Sequence, residues 1–384
     1  MTDESLQQTG PILVVIGTRP EAVKLAPVIQ ELRARNTREV VVCHSGQHLG
    51  LFNDAISAFG IVADETLEVM IEGQGLAELH GRLFHALGGL FDRVRPGTIV
   101  VQGDTATVAV ASWAAFLGRI EVAHVEAGLR SGNKWHPFPE EINRRITGVV
   151  ADWHFAPTAG AAANLLNEGV PRDRVVLAGN TVVDALLSLR DRLMDTPLPL
   201  GLSADRPLLL VTAHRRENFD ARLLDICSAV RRIGREHPSL QIVVPVHPNP
   251  EVRMVMHREL GSSEGVRLTD PLPYEAFMRI MMGATIALSD SGGVQEEAPC
   301  LGLPVLVMRD VTERPEGIDA GSARLVGAGE DTIVDAVGTL LRDKAAYAAM
   351  ATPRWVYGDG HASKRIADVL LTGKLAREPF VASA

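Results

Sequence analysis

Short β-branched runs recur along the whole chain, and the segments between them carry apolar residues at helical spacing; few folds accommodate that alternation. The runs are Ile12-Leu-Val-Val-Ile16, Val40-Val-Val-Cys43, Thr98-Ile-Val-Val-Gln102, Glu121 to Ala123, Val175-Val-Leu177, Leu208-Leu-Leu-Val211, Ile242-Val-Val244, Thr285-Ile-Ala-Leu288 and Val305-Leu-Val307. Most are apolar at consecutive positions, as in a strand buried on both faces. Between them, Leu76, Leu79, Leu83, Leu87, Leu90 and Val94 keep a three-to-four-residue spacing until Pro96 and Gly97 stop the segment. Strands alternating with helices build parallel sheets covered on both faces, so the predicted class is doubly wound α/β.

With 384 residues, the chain exceeds a single domain of roughly 150 residues. Pro197, Pro199, Gly201 and Pro207 interrupt the periodicity before a fresh strand begins at Leu208. This predicts a Rossmann-like domain over residues 1–193, a second over 194–360, and a tail helix over 361–384. Two such halves facing a cleft would collect ligand beyond the carboxyl ends of their strands. Acidic residues outnumber basic ones by 47 to 38, for a formal charge of −9. No global positive field exists for nucleic acid or an anionic membrane, so an anion must meet a local basic pocket. Cys43, Cys227 and Cys300 are far apart and odd in number, which argues against a disulfide framework or a thiolate metal site. His44 and His48 are interrupted by Gly46 and lack a partner ligand, so no metal is expected there. No apolar run approaches the ~18 residues of a membrane span, and Met1 to Gly10 is polar; the expectation is a cytoplasmic protein.

Chemistry-bearing residues cluster just after the predicted strands. The first strand runs into Gly17-Thr-Arg-Pro-Glu21, where a helix start beside Arg19 and Lys24 suits an anion. Ser289-Asp-Ser-Gly-Gly-Val-Gln-Glu-Glu297 follows the strand at Thr285 to Leu288. Its Gly292 and Gly293 would admit a diphosphate to the helix N–H groups, Ser291 adds a hydroxyl, and Glu297 could accept from two ribose hydroxyls. The competing reading has Ser291 merely capping the helix. Asp104, Glu126 and Glu140 are strand-end or helix-start carboxylates of the first half, the raw material of acid/base catalysis. His214, beside Arg215 and Arg216, ends a strand of the second half, where it could protonate a leaving phosphate.

Together, Gly17-Thr-Arg-Pro-Glu21, Ser45-Gly-Gln-His48, Gly103-Asp-Thr105, His124-Val-Glu-Ala-Gly-Leu-Arg130, Pro139-Glu-Glu141 with Asn143-Arg144, Gly179-Asn-Thr181, His214-Arg-Arg-Glu217, His247-Pro-Asn249, Asp290 to Pro299, Gly302-Leu-Pro-Val305 and Thr312-Glu-Arg-Pro-Glu316 form an ordered set. That set resembles the non-hydrolysing UDP-N-acetylglucosamine 2-epimerases. The resemblance implies a GT-B-like pair of domains with the tail packing back on the first. It also implies reversible conversion of UDP-N-acetylglucosamine to UDP-N-acetylmannosamine without NAD or metal, by elimination and re-addition of UDP through a 2-acetamidoglucal. Carried over by residue, Asp104, Glu126 and Glu140 look like the acid/base carboxylates and His214 like the group assisting the UDP oxygen. Arg19, Lys24, Phe277, Ser291, Gly292, Gly293, Glu297 and Arg314 correspond to nucleotide-sugar contacts. Gln47, Arg215 and His247 correspond to an activator site for a second nucleotide sugar, although Gly73 stands where an arginine is expected and Leu49 and Gly50 follow Gln47-His48. Leu272 replaces a glutamine near the base, and a homodimer is the family's usual assembly.

Three other readings compete. A hydrolysing 2-epimerase would release N-acetylmannosamine and UDP. A GT-B glycosyltransferase would share the cradle, but three acid/base carboxylates count against it. A non-catalytic sugar-nucleotide sensor would keep binding and lose the chemistry.

Overall fold

A computed structural model describes residues 10–46, 49–71, 73–213 and 221–383. Thirteen strands form among them: β1 Ile12–Ile16, β2 Val40–His44, β3 Glu65–Thr66, β4 Thr98–Gln102, β5 Glu121–Val125, β6 Trp153–Ala156, β7 Val175–Leu177, β8 Leu208–Thr212, β9 Gln241–Pro245, β10 Val266–Thr269, β11 Ile286–Ser289, β12 Val305–Val307 and β13 Ala323–Leu325. They assemble into a seven-stranded sheet, β3-β2-β1-β4-β5-β6-β7, and a six-stranded sheet, β10-β9-β8-β11-β12-β13. Every pairing is parallel. The class is the doubly wound α/β that the alternating pattern predicts.

Chain contacts divide the molecule into two compact units, residues 1–185 with 357–382, and residues 186–356 with 383–384. The division falls inside the helix Thr181–Leu193, upstream of the Pro/Gly-bearing stretch. The chain rejoins the first unit at Tyr357. There the helix Ala362–Thr372 lies against the helix Arg19–Arg35, with Arg35 donating to Asp368 at 2.7 Å. Asp184 accepts from the Ser363 amide at 2.8 Å and hydroxyl at 2.6 Å, and the Phe380 amide donates to Leu177 O at 2.9 Å.

The central strands match the sequence reading because burial on both faces writes a continuous apolar run. β1 and β4 are buried at every position. The helix Leu76–Val94 buries Leu79, Leu83, Leu87 and Leu90 of the stripe its spacing predicts, together with Phe91, while Leu76 at its first turn is exposed and Val94 at its end is half-buried. Strands without such a run escaped the reading. β6 is Trp-His-Phe-Ala, and the edge strands β10 and β13 carry Arg267 and Arg324.

In both sheets the order reverses beside the first strand of the unit, between β1 and β4 and between β8 and β11. Chains leave such neighbours in opposite directions, so a crevice opens at their carboxyl ends. The loops after β1, β4 and β11 carry the predicted site residues. Backbone of unusual conformation shapes the loop after β5: Glu126 has φ +62° and Gly128 has φ +88°. A Cβ on Gly128 would also run into the carbonyl of Ala161. Gly128→Ala should therefore destabilise the protein by about 2–5 kcal/mol, combining left-handed strain with a backbone clash. A denaturant midpoint within error of wild type would contradict that account.

Candidate active site

Beyond β1, Thr18 occupies the N-cap of the helix Arg19–Arg35 in extended geometry, with Pro20 in the first turn. Glu21 folds back across this turn, accepting from the Gly17 amide at 2.7 Å and from the Thr18 hydroxyl at 2.9 Å. Only 2 % of Glu21 is exposed. Burial pushes its carboxyl up to about 7; hydrogen bonds from Gly17, Thr18 and Thr105 oppose the rise and the charge of Asp104 adds to it. Arg19 is half-buried at the helix start. Lys24 is buried one turn deeper, and its ammonium forms an ion pair with Glu126.

After β4 the chain turns at Gly103, φ +83°, and presents Asp104 before Thr105 caps the next helix by accepting from the Val108 amide at 3.4 Å. Gly103 O lies 2.8 Å from His124 Nε2. A carbonyl can only accept, so Nε2 carries the proton. Burial, with the positive charge of Arg144, holds the His124 pKa well below the usual histidine range and keeps the ring neutral.

Glu126 follows β5 with 5 % of its surface exposed. Besides Lys24, its carboxylate receives Asn180 Nδ2 at 3.3 Å and lies 3.8 Å from Arg144 Nη2. Arg144 Nη1 donates to the Glu126 carbonyl at 2.7 Å, and Nη2 pairs with the Asp104 carboxylate. Asn143 Nδ2 donates to the Asp104 carbonyl at 2.9 Å. Both residues sit one turn into the helix Glu140–Val150, whose first residue is Glu140. Adjacent Glu141 instead holds the preceding loop, accepting from the Ser131 amide at 2.9 Å and hydroxyl at 3.1 Å. Asp104 and Glu126 thus share one guanidinium, with Glu140 a turn away along the helix that carries it.

In the second unit, Ser291 stands at the N-cap of the helix Gly292–Leu301, but its side chain makes no capping bond. The capping alternative therefore does not explain Ser291. A Cβ on Gly292 would sit 2.6 Å from the Arg314 guanidinium carbon, so a side chain there would push that cation away from the helix entrance. Glu296 accepts from Arg314 Nε at 2.7 Å, and Thr312 donates to Gln295 at 2.8 Å, which fixes the Thr312–Arg314 loop on the same helix. Gly293 has only ordinary contacts at its missing Cβ, the nearest being Ser291 Oγ at 3.8 Å. Glu297 is buried and accepts from Tyr274 Oη at 3.0 Å. Half-buried Phe277 lies one turn beyond Tyr274 on the helix Tyr274–Gly283. His214, Arg215 and Gln47 lie outside the described residues. His247 is half-buried, and its Nδ1 accepts from the Asn249 amide at 3.2 Å.

Glu21, Arg144, Asn180 and Tyr274 were given no role in the sequence reading. The first three stand inside quoted motifs, and Tyr274 is three residues before Phe277, on the same helical face. Arg144, Asn180 and Tyr274 meet partners distant in sequence, which spacing alone does not reveal, whereas Glu21 bonds within its own motif, to Gly17 and Thr18.

Fold and loops define the class first: a GT-B-like α/β protein of two doubly wound units, with buried carboxylates after the strands of one and a glycine-led helix entrance in the other. The family model described as UDP-N-acetylglucosamine 2-epimerase matches residues 30–371. The chain is 44 % identical over 373 residues to the UDP-N-acetylglucosamine 2-epimerase of Escherichia coli K12, covering 95 % of this chain and 99 % of that one. It is 46 % identical to the Yersinia pestis enzyme of the same name, covering 94 % and 98 %. A crystal structure of UDP-GlcNAc 2-epimerase from Neisseria meningitidis bound to UDP-GlcNAc superposes with a TM-score of 0.91 at 41 % identity, covering 94 % of this chain and 99 % of that one. The chain belongs to the UDP-N-acetylglucosamine 2-epimerase family.

The Glu21 carboxyl gives a test of the site's electrostatics. Its pKa rises from 4.5 to about 7 on folding, so the folded protein holds the proton more tightly. The contribution is full below pH 4.5 and is lost as pH rises through about 7. Relative to Glu21→Gln, wild type should lose up to about 3 kcal/mol between pH 4.5 and pH 8. Urea melts of both proteins at these two pH values measure this, and an unchanged difference would refute it.

Proposed function

We propose that the protein interconverts UDP-N-acetylglucosamine and UDP-N-acetylmannosamine by eliminating and re-adding UDP through a 2-acetamidoglucal, without net hydrolysis. The observation that carries this reading is the pair Asp104 and Glu126, held together on Arg144 at the strand ends beside the order reversal. The C2 hydrogen of the sugar has no neighbouring carbonyl to acidify it, so its removal must accompany departure of the diphosphate from C1. A carboxylate takes the C2 proton, the C1–O bond breaks with its electrons going to UDP, and a C1=C2 double bond forms. Return of a proton to the opposite face of C2, with UDP re-forming the C1–O bond, gives the epimer; no water is consumed.

Base and acid on opposite faces are drawn from Asp104, Glu126 and Glu140, while His214 assists the leaving UDP oxygen. The second unit holds UDP. The helix entrance at Ser291, Gly292 and Gly293 with Arg314 suits the diphosphate, Glu297 the ribose, and Phe277 the uracil. Arg19 and Lys24 act on the sugar-phosphate side, Lys24 through its pair with Glu126. Gln47, Arg215 and His247 would form the activator subsite. No cofactor or metal is required, because the diphosphate itself is the leaving group.

The enzyme is read as cytoplasmic and homodimeric. Cys43, Cys227 and Cys300 are free and buried, and burial pushes each thiol up to about 12. Among the described residues no helix is long and apolar enough to cross a membrane. The packed helices Ala106–Leu117 and Glu140–Val150 expose Trp113, Phe116, Leu117, Ile142, Ile146 and Val149, an apolar patch suited to a second copy. Val149→Asp should halve the mass measured by light scattering; an unchanged mass removes this face as the dimer contact.

The reaction is tested by incubating UDP-N-acetylglucosamine with the enzyme in heavy water. Deuterium should enter C2 of both epimers while the nucleotide sugar stays intact. Stoichiometric UDP with free N-acetylmannosamine would indicate hydrolysis, and UDP binding without C2 exchange would indicate a sensor. Asp104→Asn should keep UDP affinity and lower turnover about 10²–10⁴-fold. Gly292→Ala, which displaces Arg314, should weaken UDP binding about tenfold or more. Near-normal turnover in the first variant, or normal affinity in the second, would reject the corresponding role.

A further inference from the structure

We infer that Arg144 is a positioning residue for the epimerisation: its guanidinium sets the geometry of Asp104 and Glu126 while making no demand on UDP binding. The inference rests on the reaction proposed above. Arg144 is 6 % exposed and reaches two different loops. Nη2 pairs with the Asp104 carboxylate after β4, and Nη1 donates to the Glu126 carbonyl after β5 at 2.7 Å. Glu126 holds φ +62°, a left-handed conformation that costs a side-chain-bearing residue about 1–2 kcal/mol. The bond to its carbonyl, with Lys24 and Asn180 on its carboxylate, keeps that residue in place.

Charge alone does not account for this arrangement. A lysine at position 144 would keep the positive charge, but an ammonium is a point donor without the planar fork that reaches the Asp104 carboxylate and the Glu126 carbonyl together. Asn143 adds a second tie from the same helix turn to the Asp104 carbonyl. The helix that begins with Glu140 therefore fixes Asp104 and Glu126 as well. Small displacements of reacting groups, on the order of 1 Å, can reduce rate about 10²-fold.

Turnover and UDP affinity of Arg144→Lys and Arg144→Ala are to be measured with and without guanidinium ion at low millimolar concentration. In Arg144→Lys, kcat should fall about 10²-fold, with KM and UDP affinity within threefold of wild type. Added guanidinium should restore turnover of Arg144→Ala at least tenfold, and methylammonium should not. A merely structural role would give no such rescue, and if Arg144→Ala fails to fold, Arg144→Lys decides alone. An Arg144→Lys enzyme with kcat within threefold of wild type, or one that loses UDP affinity at unchanged kcat, overturns the inference, as does a folded Arg144→Ala that guanidinium leaves inactive. Deuterium entry into C2 by the wild type tests the reaction itself. Equal exchange by wild type and Arg144→Lys overturns only the role of Arg144.

Discussion

Two cations, Lys24 and Arg144, and the carboxylate of Glu126 are taken out of water together in the first unit, and the rest of the site is arranged around that fact. Lys24 and Glu126 are both nearly inaccessible, and removing either ion from water costs several kcal/mol. Their mutual attraction offsets this only with further support for the charges, which Asn180 supplies by a hydrogen bond to the Glu126 carboxylate and Arg144 by its positive charge 3.8 Å from it. Asp104 is the more open member, with 29 % of its side chain exposed. The deep pair is thus the fixed point, and Asp104 hangs from it through Arg144 towards solvent. Each of the four side chains comes from a different segment: the first helix, the loop after β4, the loop after β5, and the helix beginning at Glu140. Such a cluster exists only when the sheet order is correct, which ties the chemistry directly to the topology.

The topology itself follows from elementary constraints. Strands buried on both faces must be apolar throughout, and parallel neighbours need helical crossovers. Both sheets satisfy this with the same reversal beside the first strand of each unit. What distinguishes the units is the loop chemistry at that reversal. In the first, the turn at Gly17 is closed by Glu21, whose carboxylate takes the Gly17 amide and Thr18 hydroxyl. In the second, a guanidinium packs against the missing side chain at the Gly292 helix entrance. The same strand-to-helix turn is acidic and inward-bonded in one unit, and glycine-led with an adjacent cation in the other.

This contrast explains how much the sequence discloses. The strands of the two sheet centres were legible because their burial is written as uninterrupted apolar runs. β6 was not, since Trp153 and His154 break the run, nor were the edge strands with Arg267 and Arg324 on them. Asp104, Glu126 and Glu140 were legible as candidates because a carboxylate at a strand end or helix start is local information. Their pairing was not. Arg144 meets Asp104 across 40 positions and Lys24 meets Glu126 across 102. The turn at Gly17 shows the same limit: Arg19 and Lys24 make it read as an anion site, while the fold commits Lys24 to Glu126 and places the Glu21 carboxylate on the Gly17 amide.

The position of Glu126 also constrains how such a site can change. The left-handed glutamate is held by Arg144 on its own carbonyl and by Lys24 and Asn180 on its carboxylate, and two residues on Gly128 lets the chain press against the Ala161 carbonyl. An aspartate at 126 would withdraw the carboxylate from Lys24 and Asn180 by one methylene, leaving a buried ammonium short of its partner. Loss of one member of a buried pair costs about 3–5 kcal/mol, more than most surface changes can compensate. The carboxylate, its lysine, the arginine and the glycine are therefore coupled by energy as well as by geometry. Substitution at one of them removes the physical reason for the others.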